Sequence, residues 1–287
     1  MPKQTLFLTS PAEVCIKNSL LQISVQGLEG TPFLRTIEDI HTIIVDNHSV
    51  HITTPALNQL SKHSVSVVFC DERHMPISML QTLDSSSIQG KLFRSQIEAG
   101  SILKKQLWEQ IIERKIRNQS LLLQKLGLGN DPLQHYYSKV LSGDASNREG
   151  QAAKQYWKIL LGKSFIRDRL GNPPNNLLNY GYSILRAYTT RALLGSGLLP
   201  SLGIFHRNYF NSFPLADDTM EPYRPFIDEI VWKLYQRGEE TINKKVKKEI
   251  VSLFYENISL DDLSMTSHSL ATYLTKEGKI IYYPKLQ

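Results

Sequence analysis

Residues 203–225, GIFHRNYFNSFPLADDTMEPYRP, gather more reactive side chains than an ordinary solvated loop needs. They include one imidazole, three carboxylates and two guanidinium groups: His206, Asp217, Asp218, Glu221, Arg207 and Arg224. One His with two or three carboxylates is a ligand set for Mg²⁺ or Mn²⁺, because these cations prefer oxygen ligands and Mn²⁺ also accepts an imidazole. Arginines beside such an ion can hold phosphate groups as forked donors.

The same stretch also has a purely structural interpretation. Asp218 and Glu221 have the spacing of a helix start, with Asp218 as the capping residue, and such a cap stabilises a helix by roughly 1 kcal/mol. A single His before a proline-rich loop is commonly a hydrogen-bonded structural residue. The residues of this stretch alone leave both interpretations open.

Just before this stretch, residues 172–197 have almost no fully polar face. That pattern predicts a buried helix, central to its domain, that leads directly into residues 203–225. A second long helix is predicted over residues 98–126, with an apolar stripe and a basic side that includes Lys115. We expect the lysines of that side to form a solvated face.

The first 80 residues have the period-two pattern of β-strands instead. Turn residues separate five β-rich runs, and a Pro in the first turn marks one short helix over residues 54–60. The strands are predicted at residues 5–8, 12–16, 20–25, 42–45 and 65–70. A polar linker, DSSS at residues 84–87, separates the two patterns. The sequence therefore predicts an α+β protein, with a small β-rich domain over residues 1–84 and a larger all-α domain over residues 85–287.

Glu149 is a candidate functional residue outside the first stretch. Ser146 and Glu149 have the spacing of a capping box. Glu149 also continues the apolar stripe of the following helix toward its start, and an ionised carboxylate there needs a cation or strong donors.

Charge and cysteine content narrow the possible partners and compartment. Residues 1–84 carry five Lys and Arg against eight Asp and Glu, which is a net charge of −3. The remainder has a net charge of +9, so the whole chain has a net charge of +6. A basic excess of this kind favours a polyanionic partner such as nucleic acid. The two cysteines, Cys15 and Cys70, have no metal-ligand spacing, and no long apolar run or signal peptide is recognisable. We therefore expect a cytoplasmic protein without a membrane partner.

Three motifs in order resemble one known family. They are NREGQAAKQYW at residues 147–157, LNYGYSILR at residues 178–186, and residues 203–225. Together they are similar to the CRISPR-associated spacer-acquisition integrases, the "Cas-one" family, in the versions that accompany type II systems. The resemblance covers essentially the whole chain and implies the family's fold, a β-rich domain followed by a helical catalytic domain.

The resemblance also implies roles for individual residues. Glu149, His206 and Glu221 match the family's ligands for Mg²⁺ or Mn²⁺, and Asp218 matches an additional active-site acid. Many relatives carry Asp where Glu221 stands, and Asp217 is the weaker candidate of its pair. The arginines implied to contact DNA are Arg148, Arg207 and Arg224.

The activity implied is that of a metal-dependent DNA endonuclease and integrase. In such a reaction the 3′-hydroxyl ends of a foreign DNA fragment attack the borders of a CRISPR repeat, and the fragment is inserted by transesterification as part of antiviral defence. The resemblance further implies a homodimer and a small "Cas-two" partner that completes a heterohexamer. Because residues 1–84 are less basic than the rest, we expect them to supply much of the homodimer interface. The effector nuclease of a type II system is a further candidate partner.

Two other functions are compatible with the residues. The chain could be a non-catalytic DNA-binding scaffold in which the acids serve only as helix caps. It could also be a stand-alone nuclease that recognises branched DNA structures. A strand-transfer assay on a variant without Glu149 distinguishes the scaffold from an integrase. A comparison of activity on branched DNA and on repeat-containing DNA distinguishes the stand-alone nuclease from an integrase.

Overall fold

The computed structural model describes residues 4–28, 30–72, 75–80, 87–168, 170–206, 208–256, 258 and 260–286. The chain divides into two compact units, residues 1–84 and 85–287. Most of the predicted linker, residues 84–86, and the candidate residue Arg207 lie outside the described residues.

The first unit consists of two four-stranded sheets and one helix within its described residues. In the first sheet the order is β1-β5-β7-β8, in which β1, β5 and β7 are parallel and β8 is antiparallel. The second sheet has the order β4-β3-β2-β6, with β2 antiparallel to β3 and parallel to β6. The elements are β1 Gln4–Leu8, β2 Ala12–Lys17, β3 Leu20–Val25, β4 Phe33–Arg35, β5 Ile40–Val45, β6 Val50–Ile52, α1 Thr54–Lys62, β7 Ser66–Cys70 and β8 Pro76–Leu80.

Apolar burial holds this unit together. All six residues of β5 are buried, whereas β2 buries Ala12 and Val14 and exposes Glu13 between them. Ile40, Ile43 and Val45 of β5 join Ala12 and Val14 in one apolar cluster with residues of β1, β3, β7 and α1. All five predicted strands and the helix are present, which confirms the β-rich start. The strands β4, β6 and β8 were not predicted, because β4 and β6 are only three residues long and β8 has no buried residue to mark an alternating pattern.

Helices form the second unit. The prediction of one helix over residues 98–126 was wrong at its start, because Gly100 separates two helices there. The helices are α2 Gln89–Glu98, α3 Ser101–Lys125, α4 Gln134–Tyr137, α5 Arg148–Leu160, α6 Asn175–Gly195, α7 Pro214–Met220, α8 Arg224–Gln236, α9 Lys244–Glu256 and α10 Leu260–Leu274. The all-α character of this part, and with it the α+β class, is confirmed.

The helix α6 is the central helix, as predicted. Thirteen of its residues are buried, and it packs against α7, α8 and α10. Gly181 allows α8 to approach closely, since a Cβ there would lie 2.4 Å from Ile227 Cγ2. Within the described ranges, no helix has both the length and the apolar content that crossing a bilayer requires.

Candidate active site

Two predicted site carboxylates converge on one buried ammonium group. Lys115 Nζ, on α3, lies 2.6 Å from Glu149 Oε1 and 2.6 Å from Glu221 Oε2. Because both oxygens contact the same nitrogen, Glu149 Oε1 and Glu221 Oε2 are separated by no more than the sum of these two distances. Only 11% of the Lys115 side chain and 5% of the Glu221 side chain are exposed, so water screens these charges poorly.

The start of α5 positions Glu149. Asp144 accepts hydrogen bonds from the Arg148 and Glu149 amides at 2.7 and 3.0 Å. Asn147, in the left-handed region at φ 50°, is the capping residue and accepts from the amide three residues later at 3.1 Å. The capping box predicted from Ser146 is therefore wrong, because Asp144 and Asn147 satisfy the amides instead. The expectation that Glu149 needs a cation is confirmed by Lys115.

A short 3-10 turn, Glu221–Tyr223, positions the second carboxylate between α7 and α8. Arg224 Nε lies 2.9 Å from Glu221 Oε1, and the guanidinium group stacks 4.5 Å over the Tyr182 ring. Each oxygen of Glu221 thus faces a different cation, Arg224 or Lys115.

Asn118 fixes the backbone next to Glu221. Its side-chain amide donates to the Pro222 carbonyl at 2.8 Å and to the Pro284 carbonyl at 3.2 Å. Its carbonyl oxygen accepts from the Leu286 amide at 3.4 Å. One buried residue of α3 therefore links the turn that carries Glu221 to the segment after α10.

Opposite charges decide the protonation of this cluster. Burial opposes the charge of Lys115, but Glu221 and Glu149 outweigh it and raise the pKa of the ammonium group. Burial likewise opposes ionisation of Glu221, but Arg224 and Lys115 outweigh it and lower the pKa of that carboxyl. The Glu221 carboxylate is held ionised, which is the form that binds a metal.

His206 and Asp218 form the second part of the site. The His206 Nδ1–H donates to Asp218 Oδ1 at 2.5 Å, and Asp218 also accepts from the Ile204, Phe205 and His206 amides. Asp218 is fully buried in the middle of α7. The alternative in which Asp218 caps a helix is therefore wrong, because the residue lies inside one and binds the preceding loop.

Aromatic packing fixes the His206 ring. Phe205 stacks on Trp108 of α3 with ring centroids 4.2 Å apart, and Trp108 meets His206 edge-on at 5.9 Å. The hydrogen bond that His206 donates to Asp218 raises the pKa of His206 despite burial, with a further contribution from Glu221. Because Nδ1 is engaged, Nε2 is the ring nitrogen that can serve as a ligand, and 41% of the side chain remains exposed.

The neighbouring Asp217 is held differently. Arg186 binds its two oxygens at 2.7 and 3.1 Å, and Asn211 donates to it at 2.7 Å. Its oxygens thus face Arg186 and Asn211, whereas those of Asp218 face His206 and the loop before it.

The predicted DNA-contacting arginines occupy different environments. Arg224 is an internal counterion of Glu221. Burial opposes the charge of Arg224, but the Glu221 carboxylate outweighs it and raises the pKa of the guanidinium group. Arg148 NH1 donates to Gln151 at 3.1 Å at the start of α5. Arg207 lies outside the described residues, and contact of each arginine with DNA stays a prediction.

Several important residues were not predicted. Lys115 was assigned to a solvated face, and that was wrong because it is three and four residues after the buried Ile112 and Ile111 and lies on the same side of α3. Asp228 on α8 accepts from Tyr156 at 2.7 Å and from Tyr182, and burial raises its pKa to about 6. A charged residue at helical spacing within an apolar stripe is the signal that identifies both.

The residues fit a divalent metal ion by their chemistry. No three His, Cys, Asp or Glu side chains in the described parts of the chain are gathered closely enough to enclose an ion. Yet the buried Glu221 Oε2 already faces a cation, the Lys115 ammonium group at 2.6 Å, so this oxygen is placed to bind a positive charge. Two carboxylates and an imidazole with a free Nε2 match the preferences of Mg²⁺ and Mn²⁺.

Fold and site together define an α+β protein with a buried acidic and basic cluster, suited to a divalent ion, in its helical part. Residues 6–257 match the family model of CRISPR associated protein Cas1, and the chain belongs to that family. A CRISPR-associated endonuclease Cas1 from Neisseria meningitidis serogroup C is 35% identical over 265 residues, which cover 91% of this chain and 86% of the relative.

Solved structures share the fold. A casposase bound to integration product has a TM-score of 0.79 and 20% identity, over 100% of this chain and 95% of that chain. A CAS1 protein from Thermotoga maritima has a TM-score of 0.77 and 19% identity, over 98% and 100%. A Cas6-RT-Cas1–Cas2 complex has a TM-score of 0.72 and 17% identity, over 99% of this chain and 36% of that chain.

Proposed function

We propose that the chain is a metal-dependent DNA integrase and endonuclease that inserts foreign DNA fragments into a CRISPR array. The observation that carries the proposal is the convergence of Glu149 and Glu221 on one buried cation, on the helical part that also holds His206 against Asp218. Family membership supports the DNA chemistry, and the casposase neighbour is itself bound to an integration product.

Glu149, Glu221 and His206 Nε2 would hold Mg²⁺ or Mn²⁺. When bound, such an ion supplies Lewis-acid polarisation and neutralises charge at the attacked phosphate. Asp218 orients the imidazole through Nδ1, and Arg224 holds the Glu221 carboxylate from its other side. These contacts keep the ligand groups in place without help from substrate.

The proposed reaction is a transesterification. The 3′ oxygen of the incoming fragment forms a P–O bond to a phosphate of the repeat border, and the bond from that phosphate to the target strand's own 3′ oxygen breaks. The incoming hydroxyl releases its proton and the departing oxygen takes one up, so the number of phosphodiester bonds is unchanged. Water in place of the hydroxyl gives hydrolysis, which is the expected endonuclease activity.

Strand joining at two repeat borders needs two active sites at a fixed separation. We propose a homodimer formed through residues 1–84 and bridged by a Cas2-type partner, in a heterohexamer with the fragment and repeat DNA. A Cas1–Cas2 assembly among the structural neighbours supports such a partner. The net charge of +9 beyond residue 84 favours DNA on the helical part, with Arg148, Arg207 and Arg224 as candidate phosphate contacts. A type II effector nuclease is a further candidate partner.

The Glu149→Gln variant tests the proposal. The neutral amide keeps the size of the side chain but removes a ligand, so joining of a fragment to repeat-containing plasmid in Mn²⁺ should fall at least ~100-fold. Glu113→Gln on α3, an exposed acid paired with Arg117, is the matched control and should retain activity. Unchanged joining by Glu149→Gln would remove Glu149 from the catalytic account, and a wild type that joins no DNA would favour the non-catalytic scaffold.

A further inference from the structure

Lys115 occupies the space between two candidate metal ligands. Its ammonium group contacts Glu149 Oε1 and Glu221 Oε2 at 2.6 Å each, on side chains that are largely buried. A lysine on the rim of a site would contact phosphate or water instead. The position of this one makes it the counterion of the ligand pair itself.

A divalent ion and this ammonium group cannot share that position. Mg²⁺ and Mn²⁺ bind carboxylate oxygens at about 2.0–2.2 Å. An ion bonded to both oxygens would therefore lie where Lys115 Nζ now lies, and two cations at such separation repel strongly in a poorly screened site. One of them has to leave.

Arg224 does not face the same conflict. It contacts the other oxygen of Glu221, Oε1, and its guanidinium group is held over Tyr182. Lys115, by contrast, stands at the end of a flexible four-carbon chain, and 11% of its side chain is exposed. It is the cation that can withdraw toward solvent.

We propose that metal binding in this protein is a cation exchange in which Lys115 is displaced from Glu149 and Glu221. In the metal-free protein the lysine holds the two carboxylates together and suppresses their mutual repulsion. It thereby preserves the spacing of the ligands and at the same time lowers the affinity for the incoming ion. Lys115 is thus a positioning residue that sets the metal concentration at which the site fills. The inference rests on the proposed metal site.

The Lys115→Met variant tests the exchange. Met keeps the length of the side chain and removes the charge, so the competing cation is gone. Mn²⁺ titration at pH 8, followed by calorimetry on the full chain, should give a dissociation constant at least about tenfold lower than for the wild type. Lys125→Met is the matched control, because Lys125 lies on the same helix and pairs with the buried Glu229, and it should leave Mn²⁺ affinity unchanged.

The melting temperature, measured with and without Mn²⁺, distinguishes the proposed cation exchange from a purely structural role of Lys115. Without metal, Lys115→Met should melt below the wild type, because two carboxylates lose their shared counterion. Saturating Mn²⁺ should restore most of that loss and give the variant a larger metal-induced shift than the wild type. Equal or weaker Mn²⁺ binding by the variant, or a loss of stability that Mn²⁺ does not restore, would overturn the exchange.

Two further measurements keep the conclusions distinct. If the wild type binds no Mn²⁺, or Glu149→Gln binds it as well as the wild type, the proposed metal site fails and the exchange fails with it. Should Lys115→Met not fold, crystals of the wild type with and without Mn²⁺ decide. The exchange requires the Lys115 ammonium group to leave both carboxylates when the ion is bound, and an ammonium group that stays in contact with both would overturn it.

Discussion

The two units of this chain bury different kinds of side chain. The described residues of the first unit bury an apolar cluster, and Asp46 is the one carboxylate they bury. The described residues of the second unit bury six carboxylates. These are Asp144, Asp217, Asp218, Glu221, Asp228 and Glu229.

The difference favours the second unit as the one that carries the proposed chemistry. Apolar burial stabilises a fold at about 25 cal/mol per Å² without further requirements. Buried charges need partners, and replacement of an ion pair by apolar residues is often neutral or stabilising. A unit that keeps many buried charges, each with an arranged partner, has a use for them beyond stability. Removal of a buried charge from the second unit should therefore impair both stability and activity, whereas removal of a buried apolar side chain from the first unit should impair stability without affecting Mn²⁺ binding.

The largest effect is expected from Asp218→Ala. Four hydrogen bonds end on this fully buried carboxylate, so its removal strands three backbone amides and the His206 ring. The free energy of unfolding of the second unit should fall by about 3–5 kcal/mol, and strand joining should be lost. Trp108, Trp157 and Trp232 all belong to this unit, so tryptophan fluorescence during urea unfolding measures the change.

Ile43→Ala in the first unit is the matched contrast. This side chain is fully buried in the apolar cluster, and its truncation should cost the first unit about 2–5 kcal/mol, measured by circular dichroism. Mn²⁺ binding by the folded protein should be unchanged. If Ile43→Ala impaired Mn²⁺ binding as severely as Asp218→Ala does, the assignment of the chemistry to one unit would be wrong.

A smaller and pH-dependent effect is expected from Asp228→Asn. Burial raises the pKa of Asp228 to about 6, against an ordinary value of 3.8. The stability that this group contributes is therefore fully present below about pH 4 and is lost as the pH rises through about 6, a change on the order of 3 kcal/mol. The amide does not titrate. The stability of the wild type relative to the variant should therefore decline by that amount between pH 4 and pH 8.

Fluorescence-monitored urea unfolding of both proteins at several pH values measures this difference, since other titrating groups cancel. A difference that stays constant with pH would show that Asp228 keeps an ordinary pKa. Asp228 would then be ionised throughout this pH range, with hydrogen bonds from the Tyr156 and Tyr182 hydroxyl groups.

The smallest effect is expected from Lys91→Ala. Lys91 and Glu277 form an ion pair at 3.2 Å, but about 60% of each side chain is exposed. Water and salt screen such a pair, so the free energy of unfolding should change by less than about 1 kcal/mol. A loss as large as that of Asp218→Ala would mean that burial does not explain the contrast between ion pairs in this protein.

Much of the fold was predictable because its periodicity is strong. The run IHTIIV at β5 is buried at every position, and the pattern of α6, which has almost no fully polar face, predicts a central helix. The strand Phe33–Arg35 was missed because an exposed three-residue strand has no hydrophobic period. The helix α2 was missed because it buries only Leu92 and Gln96, which is too weak a stripe to recognise.

The site was predictable in its residue types but not in its pairings. Glu149 on an apolar stripe required a cation, yet the sequence did not say that Lys115 supplies it from 34 residues away. Whether Asp218 caps a helix or orients His206 depends on where α7 begins, and α7 begins at Pro214, four residues before Asp218. Pairings between distant residues depend on tertiary structure, which local pattern does not encode.

The Asn118 amide has a practical consequence for anyone who manipulates the gene. Because this side chain binds the carbonyl beside Glu221 and also the backbone at Pro284 and Leu286, residues 284–286 help to anchor the carboxylate that we propose as a metal ligand. A stop codon near position 280, or a fusion that pulls this segment away, would loosen the turn at Glu221 from a distance.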